Sequence, residues 1–297
     1  MSIDDTDIQN PAGLFSFPGN ALQSIDSSTA LYAVLGNPVA HSLSPVMHNA
    51  AFSQTGHNGV YVAVKVTDLS AAVEGIRGLG VAGASVTIPF KTKVIEFLDQ
   101  IDPVAAAIGA VNTIVNRGGR LIGYNTDGSG AARALAAKVS VKDKHIAVIG
   151  AGGTAKAISY ALKEKGAHMT IVNRSRARGQ ALARELQAEF VLLSAFTGDG
   201  CEVLINTTPV GMVPNVAASP IDKAVLRPDM IVMDAVYNPL TTRLLEMAKG
   251  IGCPIVSGVD MFVYQGASQF ELWTHKSAPV DDMRLVVMAA LERRSNG

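Results

Sequence analysis

The chain has 297 residues, of which 48% are hydrophobic and 17% charged, and its 25 basic and 25 acidic residues give a formal net charge of zero. This composition excludes an intrinsically disordered chain, and the balanced charge argues against nucleic acid as a partner, because duplex-binding proteins carry a basic excess. Two cysteines are too few for a disulfide framework, and neither a leader sequence nor a run of ~18 apolar residues occurs. We therefore expect a cytoplasmic α/β protein that binds no membrane, with two domains as a first estimate.

The first part of the chain alternates strand and helix patterns. Residues 1–28 have no sustained period and are interpreted as an N-terminal extension. Strands are predicted at residues 31–36, 60–66 and 81–88 and in a hairpin of 113–116 and 121–124, and helices at 45–55, 69–79 and 104–110. Ser44 stands where it could cap the first helix. Strands that alternate with helices predict a mainly parallel sheet covered on both faces.

A second α/β unit begins at Lys144, after a predicted helix at 128–138. Its strands are predicted at residues 145–149, 169–172, 203–206, 231–235 and 255–256, with helical stretches between them. Two more helices are predicted at 261–273 and 281–293.

A glycine-rich loop follows the strand at 145–149 and opens the helix at 155–165. It has the G-x-G-x-x-G/A arrangement of dinucleotide-binding loops in its required strand–loop–helix context. The first glycine permits a tight turn, the second lets the backbone approach a pyrophosphate, and the helix N-terminus favours its negative charge. An ordinary glycine turn is the alternative. We predict that the cofactor phosphates bind at Gly150, Ala151, Gly152, Gly153, Thr154 and Ala155.

The next strand ends without the Asp or Glu that binds the ribose 2′-hydroxyl of NAD. Arginines stand there instead, and a guanidinium matches the charge and geometry of a 2′-phosphate. The alternative interpretation is a solvated basic helix start. We therefore predict NADP(H) as the cofactor, bound in part by Asn173, Arg174, Ser175 and Arg178.

Two hydroxyls, those of Ser42 and Ser44, flank the N-terminus of the first helix. Hydroxyl donors and a helix N-terminus together suit a carboxylate, and the simpler alternative for Ser44 is a plain N-cap. The six histidines form no cluster with Cys or carboxylates of the kind that holds a metal, so no metal site is predicted. No Gly-x-Ser-x-Gly elbow occurs, which argues against a hydrolase.

Taken in order, a series of motifs resembles the shikimate dehydrogenase family over roughly residues 30–292. The motifs are HSLSP at 41–45, SVTIPFK at 85–91, GAVNT at 109–113, GYNTDG at 123–128, the loop at 150–155, NRS at 173–175, NTTPVGM at 206–212, VYNP at 236–239 and the stretch 258–273 around Gln265. Ser85 stands where the family commonly has Asn, and Thr207 and Pro209 stand where Ala and Ser are commoner.

The resemblance implies the reversible, NADPH-dependent reduction of 3-dehydroshikimate to shikimate, a step of aromatic amino-acid (chorismate) biosynthesis. It also implies two α/β domains. One is a mainly parallel, discontinuous substrate domain of residues 29–130 plus 260–297, and the other is a Rossmann-type NADP-binding domain of residues 131–259. The sequence leaves both monomer and homodimer open.

The resemblance assigns Lys91 and Asp127 as the catalytic pair. It implies substrate contacts, including the pair, by Ser42, Ser44, Thr87, Lys91, Asn112, Asp127, Tyr237 and Gln265. It implies cofactor contacts outside the two loops by Thr207, Thr208, Pro209, Val236, Gly258 and Met261. The chemistry agrees, because hydride delivery to a ketone builds negative charge on oxygen, which a lysine ammonium can stabilise and protonate.

Without the resemblance, Lys91 could be a surface lysine after a proline turn and Asp127 an Asx turn or helix cap. Three rival functions stay open. One is a quinate/shikimate dehydrogenase with relaxed substrate or NAD use, and another is a methylene-tetrahydrofolate dehydrogenase, which would not explain the 41–45 motif together with Tyr237. The third is a catalytically silent sensor that binds shikimate.

Overall fold

The computed structural model describes residues 25–296, with side chains as far as Arg294, and contains two six-stranded sheets flanked by helices. The predicted α/β fold class is confirmed. Most of the predicted N-terminal extension, residues 1–24, lies outside the described residues. Within residues 25–296, no helix is long and apolar enough to cross a membrane.

The first sheet is built mostly from the N-terminal part of the chain. Its strands are β1 (Ala30–Gly36), β2 (Gly59–Lys65), β3 (Gly83–Val86), β4 (Gln100–Ile101), β5 (Thr113–Arg117) and β6 (Arg120–Tyr124), and its helices are α1 (Ser44–Thr55), α2 (Leu69–Gly78) and α3 (Pro103–Ile108). The strand order is β2-β1-β3-β5-β6-β4, in which β5 pairs antiparallel with β3 and β6 and the other neighbours are parallel. The two-residue strand β4 was not predicted.

The start of α1 corrects one prediction, because Ser44 does not cap this helix. Leu43 is the capping residue, and Ser44 is already the first helical residue. The backbone at Leu43 has helical dihedral angles (φ −95°, ψ −1°), so the helix begins one residue earlier than Pro45 suggested. The Ser42 hydroxyl oxygen accepts the Ser44 N–H at 3.2 Å and satisfies one of the free donors of the first turn.

The second sheet is entirely parallel. Its strands are β7 (His145–Ile149), β8 (His168–Asn173), β9 (Glu189–Leu192), β10 (Val203–Asn206), β11 (Ile231–Asp234) and β12 (Ile255–Val256), and its helices are α4 (Asp127–Ala136), which leads into it, α5 (Gly153–Lys163), α6 (Arg176–Leu186) and α7 (Arg243–Ile251). The order β12-β11-β10-β7-β8-β9 is that of the doubly wound dinucleotide-binding fold. Strand β9 was not predicted individually, because its half-buried edge position leaves only a weak apolar pattern.

The two C-terminal helices, α8 (Gly258–Thr274) and α9 (Val280–Asn296), return to the first sheet. Val263 and Phe270 of α8 belong to one buried apolar cluster with Tyr32 of β1 and Met47 of α1. The Trp273 indole N–H anchors the end of α8 by donating to the Ile114 carbonyl of β5 at 2.9 Å. The first sheet is thus covered by helices from both ends of the chain.

One edge of the first sheet gathers the loops that carry most predicted site residues. Strands β1 and β3 are parallel and end side by side, with Leu35 opposite Val86. Strand β5 begins at that edge and β6 ends there, because Thr113 lies opposite both Ser85 and Tyr124. The carboxyl ends of strands are where α/β proteins place their ligands.

Candidate active site

Lys91 and Asp127 form an ion pair at this edge. Lys91 Nζ lies 2.5 Å from Asp127 Oδ2, and the two side chains are 18% and 6% exposed. The other carboxylate oxygen, Asp127 Oδ1, accepts from Asn112 Nδ2 at 2.8 Å. Low exposure strengthens such an interaction relative to one in water. The arrangement holds an ammonium group in a fixed place while leaving it partly accessible.

Local structure fixes both members of the pair. The Lys91 carbonyl accepts the N–H of Val111 at 2.7 Å, which ties the loop after β3 to the segment before β5. Asp127 is the first residue of α4, and the Asn125 side chain accepts its N–H at 3.1 Å. Acidic side chains in the first turn are favoured by the helix dipole, so Asp127 suits this position.

Two glycines of α4 let neighbouring helices approach the site closely. A Cβ atom added to Gly128 would lie 2.5 Å from the Ala157 carbonyl oxygen of α5, and one added to Gly130 would lie 2.8 Å from the backbone nitrogen of Gln265 on α8. Any larger residue would force these helices apart. The glycines therefore set how near the glycine-rich loop and Gln265 lie to Asp127.

Three of the residues assigned to the substrate surround the ion pair or border its loop. Asn112 is 2% exposed, and its Nδ2 lies 3.4 Å from Gln265 Oε1. Gln265 in turn donates from Nε2 to the Phe262 carbonyl at 2.9 Å. Thr87 follows β3, where its N–H donates to the Leu35 carbonyl at 2.9 Å. The structure thus brings Lys91, Asn112, Asp127 and Gln265 into direct contact.

Ser42, Ser44 and Tyr237 belong to a second group, near the start of α1. The Tyr237 ring stacks on Phe262 with centroids 4.5 Å apart. Burial raises the pKa of Tyr237, and the nearby Arg294 guanidinium lowers that pKa by a smaller amount. Arg294 also donates to the His41 carbonyl at 2.8 Å, beside Ser42. Hydroxyl donors and a cation therefore lie at this end of the site.

The glycine-rich loop has the conformation that its sequence predicts. Gly150 has φ +124°, a region that residues with a Cβ rarely adopt, and an added Cβ would lie 2.3 Å from Thr207 Oγ1. A Cβ on Gly152 would meet no described atom within 4 Å, so the space at the N-terminus of α5 is open. A Cβ on Gly153 would lie 3.8 Å from Ala110 Cβ, two residues before Asn112. The loop therefore adjoins the Lys91–Asp127 site.

The predicted phosphate-binding arginines lie after β8. Arg174 and Arg178 are exposed, and no acidic residue occurs between positions 173 and 184. Ser175 caps α6, with its side chain accepting the Arg178 N–H, and Asn173 Nδ2 donates to the Ser175 carbonyl at 2.9 Å. Uncompensated positive charge at a helix N-terminus suits an anionic group.

The remaining residues assigned to the cofactor line the ends of β10 and β11 and the start of α8. The Thr207 hydroxyl donates to the Ile149 carbonyl at 2.7 Å, which holds the loop after β10 against the start of the glycine-rich loop. The Thr208 hydroxyl donates to Asn206 Oδ1 at 2.7 Å, a bond within the loop after β10 itself. Pro209 is exposed, whereas Met261 is buried. A Cβ on Gly258 would lie 2.3 Å from the Val236 carbonyl oxygen.

Asp234, which the sequence reasoning did not single out, organises this region. Its carboxylate accepts from Asn206 Nδ2 at 2.9 Å, from the Val236 N–H at 3.0 Å and from the Thr242 hydroxyl at 2.6 Å. Burial raises the pKa of Asp234 from 3.8 to about 6, while these three donors lower it. Its position at the end of β11 was the only pattern that could have indicated it.

The sequence reasoning also missed a buried polar group beneath the site. Gln269 lies one helical turn after Gln265, and its side chain bonds to Ser85, Asn112 and Thr113. The spacing of two glutamines four residues apart on a mostly apolar helix face was the available indication. Among the described residues, no group of three His, Cys, Asp or Glu side chains could hold a metal ion.

Three family models match the chain. They are described as shikimate dehydrogenase substrate binding domain over residues 34–114, shikimate / quinate 5-dehydrogenase over residues 132–206, and shikimate 5′-dehydrogenase C-terminal domain over residues 258–288. A protein of Moorella thermoacetica named shikimate dehydrogenase (NADP(+)) is 45% identical over 287 residues, covering 92% of this chain and 97% of that protein.

Solved structures agree with these matches. A crystal structure of a shikimate dehydrogenase in complex with NADP⁺ has a TM-score of 0.88 at 39% identity, covering 93% of this chain and 99% of that one. The structure of shikimate 5-dehydrogenase from Thermus thermophilus in complex with NADP(H) and shikimate has a TM-score of 0.84 at 36% identity, covering 89% of this chain and 100% of that one.

Proposed function

The chain belongs to the shikimate dehydrogenase family, and we propose that it catalyses the reversible, NADPH-dependent reduction of 3-dehydroshikimate to shikimate. The observation that carries this proposal is the Lys91–Asp127 ion pair beside a dinucleotide-binding loop. Such a pair supplies what carbonyl reduction needs, a cation at the developing alkoxide and a proton for it. The reaction is a step of aromatic amino-acid biosynthesis.

In this proposal Lys91 is the catalytic acid and Asp127 holds it. Lys91 stabilises the charge that grows on the carbonyl oxygen and then donates a proton to it. Asp127, held on its other oxygen by Asn112, pairs with the Lys91 ammonium and keeps it in place. In the direction of oxidation, the same lysine removes the proton of the ring hydroxyl, so oxidation should be favoured by alkaline pH.

The substrate lies between the two groups of site residues. Ser42 and Ser44 bind its carboxylate, and Tyr237 lies close to them and to the nicotinamide. Thr87, Asn112 and Gln265 bind ring hydroxyls, and the 3.4 Å separation of the Asn112 and Gln265 amides supports this, since one hydroxyl could bridge them. A ring with several hydroxyls and a carboxylate matches these donors and acceptors.

The chain's own residues fit NADP(H). The phosphates fit the open N-terminus of α5, at residues 150–155, and the 2′-phosphate fits the arginine-rich loop at 173–178. When bound, NADPH supplies the hydride. The nicotinamide side of the site comprises Thr207, Thr208, Pro209, Val236, Gly258 and Met261.

We propose the same division of the chain into domains as above, residues 29–130 plus 260–297 for the substrate and 131–259 for NADP. The return of α8 and α9 to the first sheet supports this division, because α8 shares a buried cluster with β1 and α1. We further propose a cytoplasmic enzyme that acts as a monomer or homodimer.

The test follows the absorbance of the reduced cofactor, NADPH or NADH, with shikimate or quinate as substrate and NADP⁺ or NAD⁺ as cofactor. We expect the highest kcat/KM for shikimate with NADP⁺. Equal or better turnover with NAD⁺ would contradict the cofactor assignment, and preference for quinate would favour the quinate/shikimate alternative that the middle family model also describes. Tight shikimate binding without turnover would indicate a sensor.

A further inference from the structure

Helix α8 carries a second buried glutamine beneath the catalytic pair. Gln269 is 1% exposed and lies one turn after Gln265, yet the proposed chemistry gives it no part. We propose that Gln269 is a positioning residue, which acts through Thr113 and Asn112 on the Asp127–Lys91 pair. The inference rests on the proposed function, since its effect is measured on that reaction.

The Gln269 amide has one orientation that satisfies its neighbours. Its Oε1 accepts from Ser85 Oγ at 2.8 Å, and its Nε2 donates to Thr113 Oγ1 at 3.0 Å and to the Asn112 carbonyl at 3.1 Å. A flipped amide would place Oε1 against the Asn112 carbonyl, and two acceptors would face each other in a buried place. The amide is therefore fixed, and so is the direction of the bond to Thr113.

The orientation of the Thr113 hydroxyl in turn determines the orientation of the Asn112 amide. Because Thr113 Oγ1 accepts from Gln269, its own proton is free to point at Asn112 Oδ1, 2.7 Å away. The Thr126 N–H donates to the same oxygen at 2.8 Å. Thr126 Oγ1 lies 3.3 Å from this oxygen as well, and the three contacts at Oδ1 oblige the Asn112 Nδ2 to face the other way.

The Asn112 Nδ2 then donates to Asp127 Oδ1 at 2.8 Å, while Lys91 occupies Asp127 Oδ2. Every group from Gln269 to Asp127 thus donates to the next, and the series ends on the carboxylate. If Gln269 could not donate, Thr113 would be free to rotate away from Asn112 Oδ1. The shortest of the three contacts that define the Asn112 orientation would be lost, and with it some of the order of the ion pair.

The same series continues in the other direction, towards the start of α1. The Tyr61 hydroxyl donates to Ser85 Oγ at 2.6 Å, and it lies beside the Ser44 hydroxyl. Burial raises the pKa of Tyr61, so this hydroxyl stays a donor. Gln269 therefore lies in the middle of a buried network that links the carboxylate end of the site to the catalytic end.

The test compares Gln269→Met, which keeps the length of the side chain without its amide, with Thr113→Val, which keeps its shape without the hydroxyl. We expect each to lower kcat about 10- to 100-fold, as small misplacements of catalytic groups do, while the KM for NADP⁺ is unchanged. Thr113→Ser keeps the hydroxyl and should restore kcat towards the wild-type value. The matched control is Ser268→Ala. The Ser268 hydroxyl donates to the Tyr264 carbonyl within α8 and takes no part in the series from Gln269 to Asp127.

The double variant with both changes distinguishes positioning from general loosening. If the two residues act in series, the double variant has the kcat of the worse single variant. Effects on kcat that multiply, or wild-type kcat in Gln269→Met, would overturn the inference. A wild-type enzyme that does not turn over shikimate would instead refute the proposed function, so the two failures are distinguishable. If Gln269→Met does not fold, the contrast between Thr113→Val and Thr113→Ser decides, and equal kcat in those two variants overturns the inference.

Discussion

The burial of the His48 ring leads to a quantitative prediction about the stability of the protein in acid. Its ring is fully buried on α1, stacks on Tyr61 with centroids 4.6 Å apart, and lies 5.1 Å from the Trp273 ring. Neither ring nitrogen makes a hydrogen bond within residues 25–296. Burial lowers the pKa of His48 from 6.5 to about 3, and the nearby Gln269 amide acts in the opposite direction with a smaller effect.

The direction of the pH effect on stability depends on whether the folded or the unfolded chain binds the proton. Below pH 6.5 the unfolded chain protonates His48 and the folded chain does not, so the stability from the neutral ring is complete above that pH and is lost as the pH falls towards 3. At 1.36 kcal/mol per pKa unit, this residue alone lowers the free energy of unfolding by about 2 kcal/mol between about pH 7 and pH 5. Replacing His48 with Phe keeps the stacked ring and removes the titration.

The assay is urea unfolding of wild type and His48→Phe at about pH 7 and pH 5, followed by circular dichroism. Asp234 acts in the opposite direction, because its raised pKa gives stability that is complete below 3.8 and is lost as the pH rises through about 6. That contribution is common to both proteins and cancels in the comparison. We expect the variant to lose about 2 kcal/mol less than wild type on acidification. An identical loss in the free energy of unfolding of the two proteins would refute a neutral, buried His48. The control is the replacement of the exposed His168 by Gln.

Two further predictions concern helix packing and the cofactor. Gly128→Ala should destabilise the protein by about 1–3 kcal/mol, because the added Cβ lies 2.5 Å from the backbone oxygen of Ala157. Gly75→Ala in α2, where an added Cβ meets no described atom within 4 Å, should instead stabilise the protein by about 0.5–1 kcal/mol. Equal changes in the free energy of unfolding, measured in urea, would contradict this prediction. Arg178→Ala should raise the KM for NADP⁺ about 10-fold or more, as losing a hydrogen bond to a charged group does, and should leave the KM for NAD⁺ unchanged. The control is Arg184→Ala, at another exposed arginine of α6. Similar changes in KM for both cofactors would exclude a contact between Arg178 and the 2′-phosphate.

Much of the fold could be predicted, because it depends on patterns among residues that are close together in the sequence. The alternation of strands and helices indicated the α/β class, and the strand–glycine loop–helix pattern at 145–165 located the dinucleotide-binding loop. Ser44 shows where local rules fail. Its hydroxyl and the following proline match a cap, but the helix begins one residue earlier, with Leu43 as the capping residue.

The buried network could not be predicted, because it joins residues far apart in the sequence. Ser85 and Gln269 are 184 residues apart and meet only when α8 packs on the first sheet. Asp234 is another example, since a single carboxylate at a strand end has no local pattern to mark it. Sequence motifs assigned the residues expected to face the ligands, whereas the polar groups that hold those residues became visible only in three dimensions.

The most direct test of the central claim is the rate of NADPH oxidation with 3-dehydroshikimate in wild type and in Lys91→Met. Met keeps the apolar stem of the lysine without its charge. We expect wild type to turn over and the variant to lose about 10²- to 10⁴-fold in kcat, the usual worth of a positioned acid, with an unchanged urea-unfolding transition. A variant with near-wild-type kcat, or a wild type that does not oxidise NADPH with this substrate, would contradict the account.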